Sequence, residues 1–104
     1  MSYLKRHKDR NHGEVVRAFR ACGASVEVHE PTTAGAPDLI VGLFGHNLLV
    51  EVKDGAKVPS AQRLSASQLE WHQSWRGRVD VVRSVDDVML LVASIRGASL
   101  GGGR

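Results

Sequence analysis

Apolar residues recur along this chain with two spacings, and the change between them predicts the order of helices and strands. Apolar positions three or four residues apart, typical of an amphipathic helix, run from about Asn11 to Ala21. Short alternating or continuous apolar runs, typical of strands, follow at 25–29, 38–43 and 47–53. The first half is therefore predicted to be one helix followed by three strands.

The second half returns to helical spacing, with capping residues that mark where helices begin. Ser-Val-Asp-Asp, beginning at Ser84, resembles a capping box with Asp in place of Glu. The predicted elements are a helix from Ser65 or Ser67 to about Trp75, closed by Gly77, a strand at 79–83, and a helix from Ser84 to about Arg96.

The length of 104 residues predicts one domain, assigned to residues 1–96. The glycine-rich end, 97–104, is expected to be a disordered tail. No apolar run approaches the roughly 20 residues that span a membrane, and no apolar signal core follows Met1. Cys22 is the only cysteine, which favours a reducing cytoplasm and excludes an internal disulfide.

Charged residues stand at the outer ends of the two apolar runs that form the predicted hairpin. Asp38 opens the first run, and Glu51 and Lys53 end the second. If Gly45-His46 is a two-residue turn, Ile40 pairs with Glu51 and Asp38 pairs with Lys53. Directly opposed residues share a face of a sheet, so the three charged side chains converge. The opposite face is expected to pack the core through Leu39, Val41, Val50 and Val52.

Two neighbouring carboxylates and a lysine at the end of core strands favour a divalent metal site. The carboxylates of Asp38 and Glu51 would repel each other unless a cation lay between them. Mg²⁺ prefers such hard oxygen ligands and keeps several waters, and the carbonyl of Val52 could add a neutral ligand. A bound metal acidifies water and stabilises charge on a phosphate under attack, with Lys53 assisting.

Each of these residues also has a simpler interpretation when taken alone. Asp38 after Pro37 is typical of a turn, and Glu51 with Lys53 is typical of surface-facing alternation at a strand end. Their joint occurrence at the ends of continuous apolar runs favours the metal site.

Positive charge is concentrated near the N-terminus, although the net charge is only +3. Such a segment is either a solvated helix face with a tail or a contact for nucleic-acid phosphates. The residues expected to hold backbone phosphates are Lys5, Arg6, Lys8, Arg10, Lys57 and Arg63.

The combination of Pro37-Asp38, a short hairpin and Glu51-Val52-Lys53 is similar to the core of PD-(D/E)XK nucleases. Within that superfamily the chain resembles a stand-alone, phage-type VRR-NUC domain. The resemblance implies an α/β, restriction-endonuclease-like αβββαβ core with a mixed central sheet flanked by helices. It is carried by residues 35–42 (GAPDLIVG), 50–53 (VEVK), 64–71 (LSASQLEW) and 81–85 (VVRSV).

The resemblance also implies roles for particular residues. Asp38 and Glu51 would be metal ligands, and Lys53 the catalytic lysine. The family has a glutamate on its first helix near the metal, and Glu14 is the acid placed for it; a surface ion pair explains Glu14 equally well. Gln68 would lie beside the active site, the alternative being an ordinary exposed helical glutamine.

The function implied is that of a Mg²⁺- or Mn²⁺-dependent endonuclease acting on DNA. Stand-alone members imply selectivity for branched DNA such as four-way (Holliday) junctions, and a homodimer would supply two sites for paired nicks. Two alternatives stay open: a catalytically silent nucleic-acid-binding or assembly module, and an RNA-directed nuclease on the same core.

Several other residues receive structural interpretations. Trp71 and Trp75, four apart on a helix, are expected to be core or interface residues rather than base-stacking platforms. None of the five histidines has zinc-motif spacing, although His29 ends a strand near the site. Cys22 is expected to be a small core residue. Thr32 and Thr33 are explained by loop chemistry.

Overall fold

Helices cover both faces of a mixed sheet in the computed structural model of this chain, which describes residues 10–30 and 32–102. Within those residues there are three α-helices and four strands. The elements are α1 (His12–Ala21), β1 (Ser25–Val28), β2 (Leu39–Leu43), β3 (His46–Val52), a 3₁₀ turn (Pro59–Gln62), α2 (Ala66–Ser74), β4 (Asp80–Val82) and α3 (Val85–Gly102).

The sheet has the order β1-β2-β3-β4. Its first three strands are antiparallel, and β4 runs parallel to β3. Parallel neighbours need a crossover connection, and α2 supplies it. The predicted α/β class, mixed sheet and αβββαβ order are thus confirmed. The 3₁₀ turn lies where only a loop was predicted.

The β2–β3 hairpin turns one residue earlier than predicted. Leu43 pairs with His46, and the turn residues are Phe44 and Gly45, both with positive φ (51° and 80°). Two positive φ values define the type I′ turn that suits the twist of a hairpin, and glycine adopts one of them without strain. The predicted Gly45-His46 turn is therefore wrong, and Ile40 lies opposite Leu49 instead of Glu51.

This correction moves the pairing by two residues, so every side chain keeps its predicted face. Helices α1 and α3 cover the face that forms the apolar core. The four hairpin residues predicted to pack this core are at most 2% exposed, which confirms them. The central core residues are Val15, Phe19, Leu39, Val41, Leu48, Val50, Val82, Val88 and Ile95.

The cap of α3 follows the prediction, but its end does not. The hydroxyl of Ser84 accepts a hydrogen bond from the backbone N–H of Asp87 (3.1 Å), and a carboxylate oxygen of Asp87 accepts one from the N–H of Arg83 (2.8 Å). The helix continues to Gly102, past the expected end at Arg96. Glycine costs a helix only about 1 kcal/mol per residue, so Gly97 does not stop it. No helix in the described ranges is long and apolar enough to cross a bilayer.

The beginning of α1 is fastened to the ends of β3 and β4. The side-chain amide of Asn11 donates to the carbonyls of Lys53 (3.1 Å) and Arg83 (3.0 Å). The guanidinium of Arg10 pairs with the buried carboxylate of Asp54 (3.1 Å), which also accepts from the N–H of Ala56 (2.9 Å). The Ala56 N–H holds the pKa of Asp54 below its usual value against the opposing effect of burial, and Arg10 lowers it further.

We predict that Asp54→Asn destabilises the fold at neutral pH, because it removes an ionised acceptor whose pKa is lower in the folded than in the unfolded chain. That contribution is complete above the unfolded value near 3.8 and is lost as the pH falls through the lower folded pKa. The gap in melting temperature between wild type and variant should be constant from about pH 5 to 7 and shrink in stronger acid. Circular dichroism melts across pH 3–7 measure it.

Glu70→Gln, which removes an exposed carboxylate on α2, is the matched control and should show no such gap. A gap for Asp54→Asn that widens in acid would contradict the argument.

Candidate active site

Two carboxylates are buried side by side at one end of the hairpin. Asp38 is 7% and Glu51 2% exposed. The last β2–β3 pair is Leu39 with Val50, and the same register continued by one residue sets Asp38 across from Glu51. The sheet therefore brings these predicted site residues together on one face, and burying both charges requires polar or cationic partners.

The backbone of β3 supplies one partner. The N–H of Val52 donates to Oδ2 of Asp38 at 3.0 Å. In an antiparallel sheet the N–H and C=O of one residue point to the same neighbouring strand. The carbonyl of Val52 is therefore directed to the Asp38 side, where it was predicted to add a neutral ligand.

Gln68 connects the acid and the lysine of the site. Its Nε2 donates to Oε2 of Glu51 at 2.9 Å, and its Oε1 accepts from Nζ of Lys53 at 2.7 Å. The glutamine is 9% exposed, which rules out the alternative of an ordinary exposed helical residue. A single amide thus fixes the positions of a carboxylate on β3 and an ammonium directly after it.

The same glutamine belongs to the N-terminal cap of α2. The Ser65 hydroxyl accepts from the N–H of Gln68 (3.2 Å), and Oε1 of Gln68 accepts from the N–H of Ser65 (2.9 Å). These two bonds form a capping box, which fixes the first turn of the helix. The position of the Gln68 amide at the site is therefore set by the start of α2.

Gly35 lets the loop before Asp38 lie against this helix start. Its φ is +87°, and a Cβ built there would collide with the backbone carbonyl of Ser67. Only glycine allows both the backbone conformation and the close approach. The loop, the hairpin and α2 consequently meet at the site.

Three aromatic side chains, two on α2 and one directly after it, lie next to the site. The indoles of Trp71 and Trp75 stack with their centroids 4.7 Å apart, and His72 meets Trp71 edge-on at 5.8 Å. Burial lowers the pKa of His72, and the charge of Lys53 lowers it further. His72 is therefore held as the neutral imidazole near neutral pH, and its Nε2 is buried without a hydrogen-bond partner.

Glu14 does not join the two buried carboxylates. It is exposed on α1 and lines a cavity of about 610 Å³ together with Asn11, Asp54, Arg83 and Asp86. Asp38, Glu51 and Lys53 do not line that cavity. The placement of Glu14 in this cavity gives no support to its predicted role as a metal ligand.

Three of the basic residues predicted to hold phosphates belong to the described part of the chain: Arg10, Lys57 and Arg63. Lys57 and Arg63 are exposed on the segment after β3, whereas Arg10 is paired with Asp54. The side chain of Gln62 donates to the carbonyls of Gly55 and Lys57 (3.1 and 2.6 Å), which fixes the loop that presents Lys57. The remaining predicted residues, Lys5, Arg6 and Lys8, lie outside the described residues.

Cys22 and His29 were predicted to lie in the core and near the site, respectively. Cys22 is only partly buried, packs against the core and approaches the sulfur of Met89 (3.7 Å). His29 donates its backbone N–H to the carbonyl of Asp38 (2.7 Å). Sequence reasoning missed Asn11 and Asp54, although the Asp-Gly pair at 54–55 is a turn signal directly after Lys53.

The donor set of the buried pair suits Mg²⁺. Proteins bind this ion through one or two carboxylates, with water and substrate phosphates completing the octahedron. Asp38, Glu51 and the carbonyl of Val52 match that mode. In the described part of the chain, no group of three or more His, Cys, Asp or Glu side chains is placed to hold a metal, so the two carboxylates and this carbonyl would be the protein's donors.

A mixed sheet with an acid directly before β2, an acid on β3, a lysine directly after β3, and α2 beside them defines a restriction-endonuclease-like fold of the PD-(D/E)XK type. No protein-family model and no curated protein matches the chain. A solved structure described as "VRR_NUC domain" is 33% identical over 80% of this chain and 95% of that chain, with a TM-score of 0.59. The chain therefore belongs to the VRR-NUC family and is a nuclease domain.

We predict that Gly35→Ala destabilises the protein by about 2–5 kcal/mol, because a positive φ and a steric conflict with Ser67 act together. Gly23→Ala is the matched control: its φ is +90°, but a Cβ there meets nothing within 4 Å. The control should lose only about 1–2 kcal/mol. Urea unfolding measures both, and equal losses would contradict the close packing of the loop on α2.

Proposed function

We propose that this protein is a divalent-metal-dependent endonuclease that hydrolyses phosphodiester bonds of DNA. One observation carries the proposal: Gln68 joins the buried carboxylate of Glu51 to the ammonium of Lys53, beside Asp38. A binding module has no need to bury two acids next to a lysine, because such burial is costly without a catalytic or metal partner.

Asp38, Glu51 and the carbonyl of Val52 would hold the ion, Mg²⁺ or Mn²⁺. When bound, it would supply acidification of water and stabilisation of charge on the phosphate. Lys53 would steady the negative charge that develops on the non-bridging oxygens, or orient the attacking water. Water adds to phosphorus in line and gives up a proton, the bond to the leaving strand oxygen breaks, and that oxygen takes up a proton in exchange.

Gln68 acts as a positioning residue in this scheme. Its amide accepts from Lys53 and donates to Glu51, so both reacting side chains keep one orientation before substrate arrives. The backbone N–H of Ser65 also donates to the amide oxygen of Gln68 and helps to hold it.

For the substrate we propose branched DNA such as four-way junctions, as the family resemblance implies. The exposed Lys57 and Arg63 would contact backbone phosphates, giving affinity that falls with salt. A homodimer would provide two sites for paired nicks. We place this activity in a bacterial or phage-infected cytoplasm, consistent with the free thiol of Cys22.

We predict that cleavage of labelled DNA requires Mg²⁺ or Mn²⁺, stops with EDTA, and falls at least about 100-fold in Glu51→Gln and in Lys53→Ala. The substrate series is a four-way junction, a flap, a linear duplex and RNA, with paired nicks on the junction as the expected product. Lys57→Ala is the control for lysine removal and should weaken binding at low salt while leaving the rate at saturating DNA intact. Tight binding with no cutting under either metal would instead support the silent module, and cutting of RNA alone would support the RNA-directed alternative.

We further predict that Gln68→Ala lowers the cleavage rate about 10- to 100-fold, because Glu51 and Lys53 lose their shared partner. Ser65→Ala is the matched control, since it removes only the hydroxyl that accepts from the Gln68 backbone N–H. The bonds of the Gln68 side-chain amide to Glu51, to Lys53 and to the backbone N–H of Ser65 use other atoms and are kept. It should cost about 1 kcal/mol of stability with little loss of rate. Rates are compared below the melting temperature of each variant, and equal losses of rate would contradict the positioning role.

A further inference from the structure

An apolar groove adjoins the buried carboxylates on the same side of the sheet. Its volume is about 340 Å³, at the lower end of the roughly 300–1,000 Å³ typical of small-molecule sites. The lining contains Pro37, Ile40, Leu49, Trp71 and Trp75. No metal ligand or catalytic residue proposed above lines it.

The groove is continuous with the site through the backbone. Pro37 directly precedes Asp38, and Ile40 lies two residues beyond it on the same face of β2. Leu49 lies two residues before Glu51 on the same face of β3. A group seated in the groove would therefore belong to a molecule whose reacting bond lies at the carboxylate pair.

The chemistry of the lining favours a planar aromatic group over a phosphate. Among the described residues that line the groove there is no lysine or arginine, and the polar members are His29, Glu30, Thr32 and Thr33. Indole faces stack on nucleobases of any sequence, and hydroxyls and imidazole can hydrogen-bond a base edge.

Trp75 is held in place although it is 45% exposed. Its ring stacks on Trp71, and a Cβ built at Gly77 would come within 3.0 Å of its indole nitrogen. An ordered, partly exposed aromatic side chain loses little conformational freedom on binding. Trp75 is thus prepared to accept a further ring.

We infer that this groove binds an unpaired nucleobase of the DNA strand whose phosphate lies at Asp38 and Glu51. The inference rests on the proposed nuclease function and adds a substrate requirement: the strand must expose at least one unstacked base beside the cleaved bond. A fully paired duplex supplies such a base only at the free-energy cost of unpairing and unstacking it.

The two tryptophans of the groove are the only ones in the chain, so intrinsic fluorescence reports directly on this surface. The test compares a single-stranded oligothymidylate with an abasic strand of equal length, in EDTA so that no cleavage occurs. The two strands carry the same phosphate charge and differ only in their bases. The thymidylate should quench the fluorescence and bind about 5- to 100-fold more tightly than the abasic strand.

Trp75→Ala should remove this difference, whereas Trp75→Phe, which keeps an aromatic face, should retain most of it. Leu90→Ala, at a 70% exposed position on α3, is the control and should bind like wild type. Circular dichroism checks that each variant is folded, and anisotropy of labelled strands gives the affinities.

Equal affinity for the two strands, or binding without any change in fluorescence, would overturn the inference, as would binding of neither strand. These outcomes do not depend on cleavage. Metal-dependent cutting combined with equal affinities would leave the nuclease function standing and remove only the base site. Base-dependent binding with no cutting would do the reverse.

Discussion

The hydrogen bonds of the Gln68 amide are the interaction on which the site depends. Glu51 is almost fully buried beside Asp38, and a buried carboxylate needs a donor or a cation. Gln68 donates to Glu51 and accepts from Lys53, so one neutral side chain satisfies an acid and a base at once. Hydrogen bonds to charged groups contribute about 1.5–3 kcal/mol each, twice the value for neutral pairs.

That amide is in place because two other constraints meet there. The capping box with Ser65 fixes the first turn of α2, and the close approach of Gly35 to Ser67 fixes where this turn lies relative to the hairpin. On the other side of the sheet, the apolar faces of α1 and α3 pack against the strands. Asn11 then fastens the chain at Lys53 and Arg83, directly after β3 and β4. The site is thus built at the meeting point of elements that are each fixed independently.

The face that carries the site also carries the groove with Trp71 and Trp75. The sequence interpretation of the pair as core or interface residues follows from helical spacing alone, which does not show what lies opposite. In the fold the pair faces the sheet surface beside Asp38, and Trp75 is left partly exposed. The reaction and the recognition of the strand would then share one surface of the protein. Its charged side chains would contact the phosphate, and its neutral aromatic side chains would contact the base.

The spacing of apolar residues by itself determined the order of helices and strands. The alternation of side chains along each strand determined that Asp38, Glu51 and Lys53 share a face. Side chains of a strand alternate between its two faces, so a pairing error of two residues leaves each of them on the same face. The wrong turn therefore did not change which residues were predicted to share the site. Local rules also identified the cap at Ser84. Only the tertiary structure decided the contacts between residues distant in sequence. These are the hydrogen bond of Gln68 to Glu51, the hydrogen bond of Asn11 to the carbonyl of Lys53, and the placement of Glu14 in another cavity. Spacing along one chain gives the direction of a side chain, whereas distances between elements are set by how their surfaces pack.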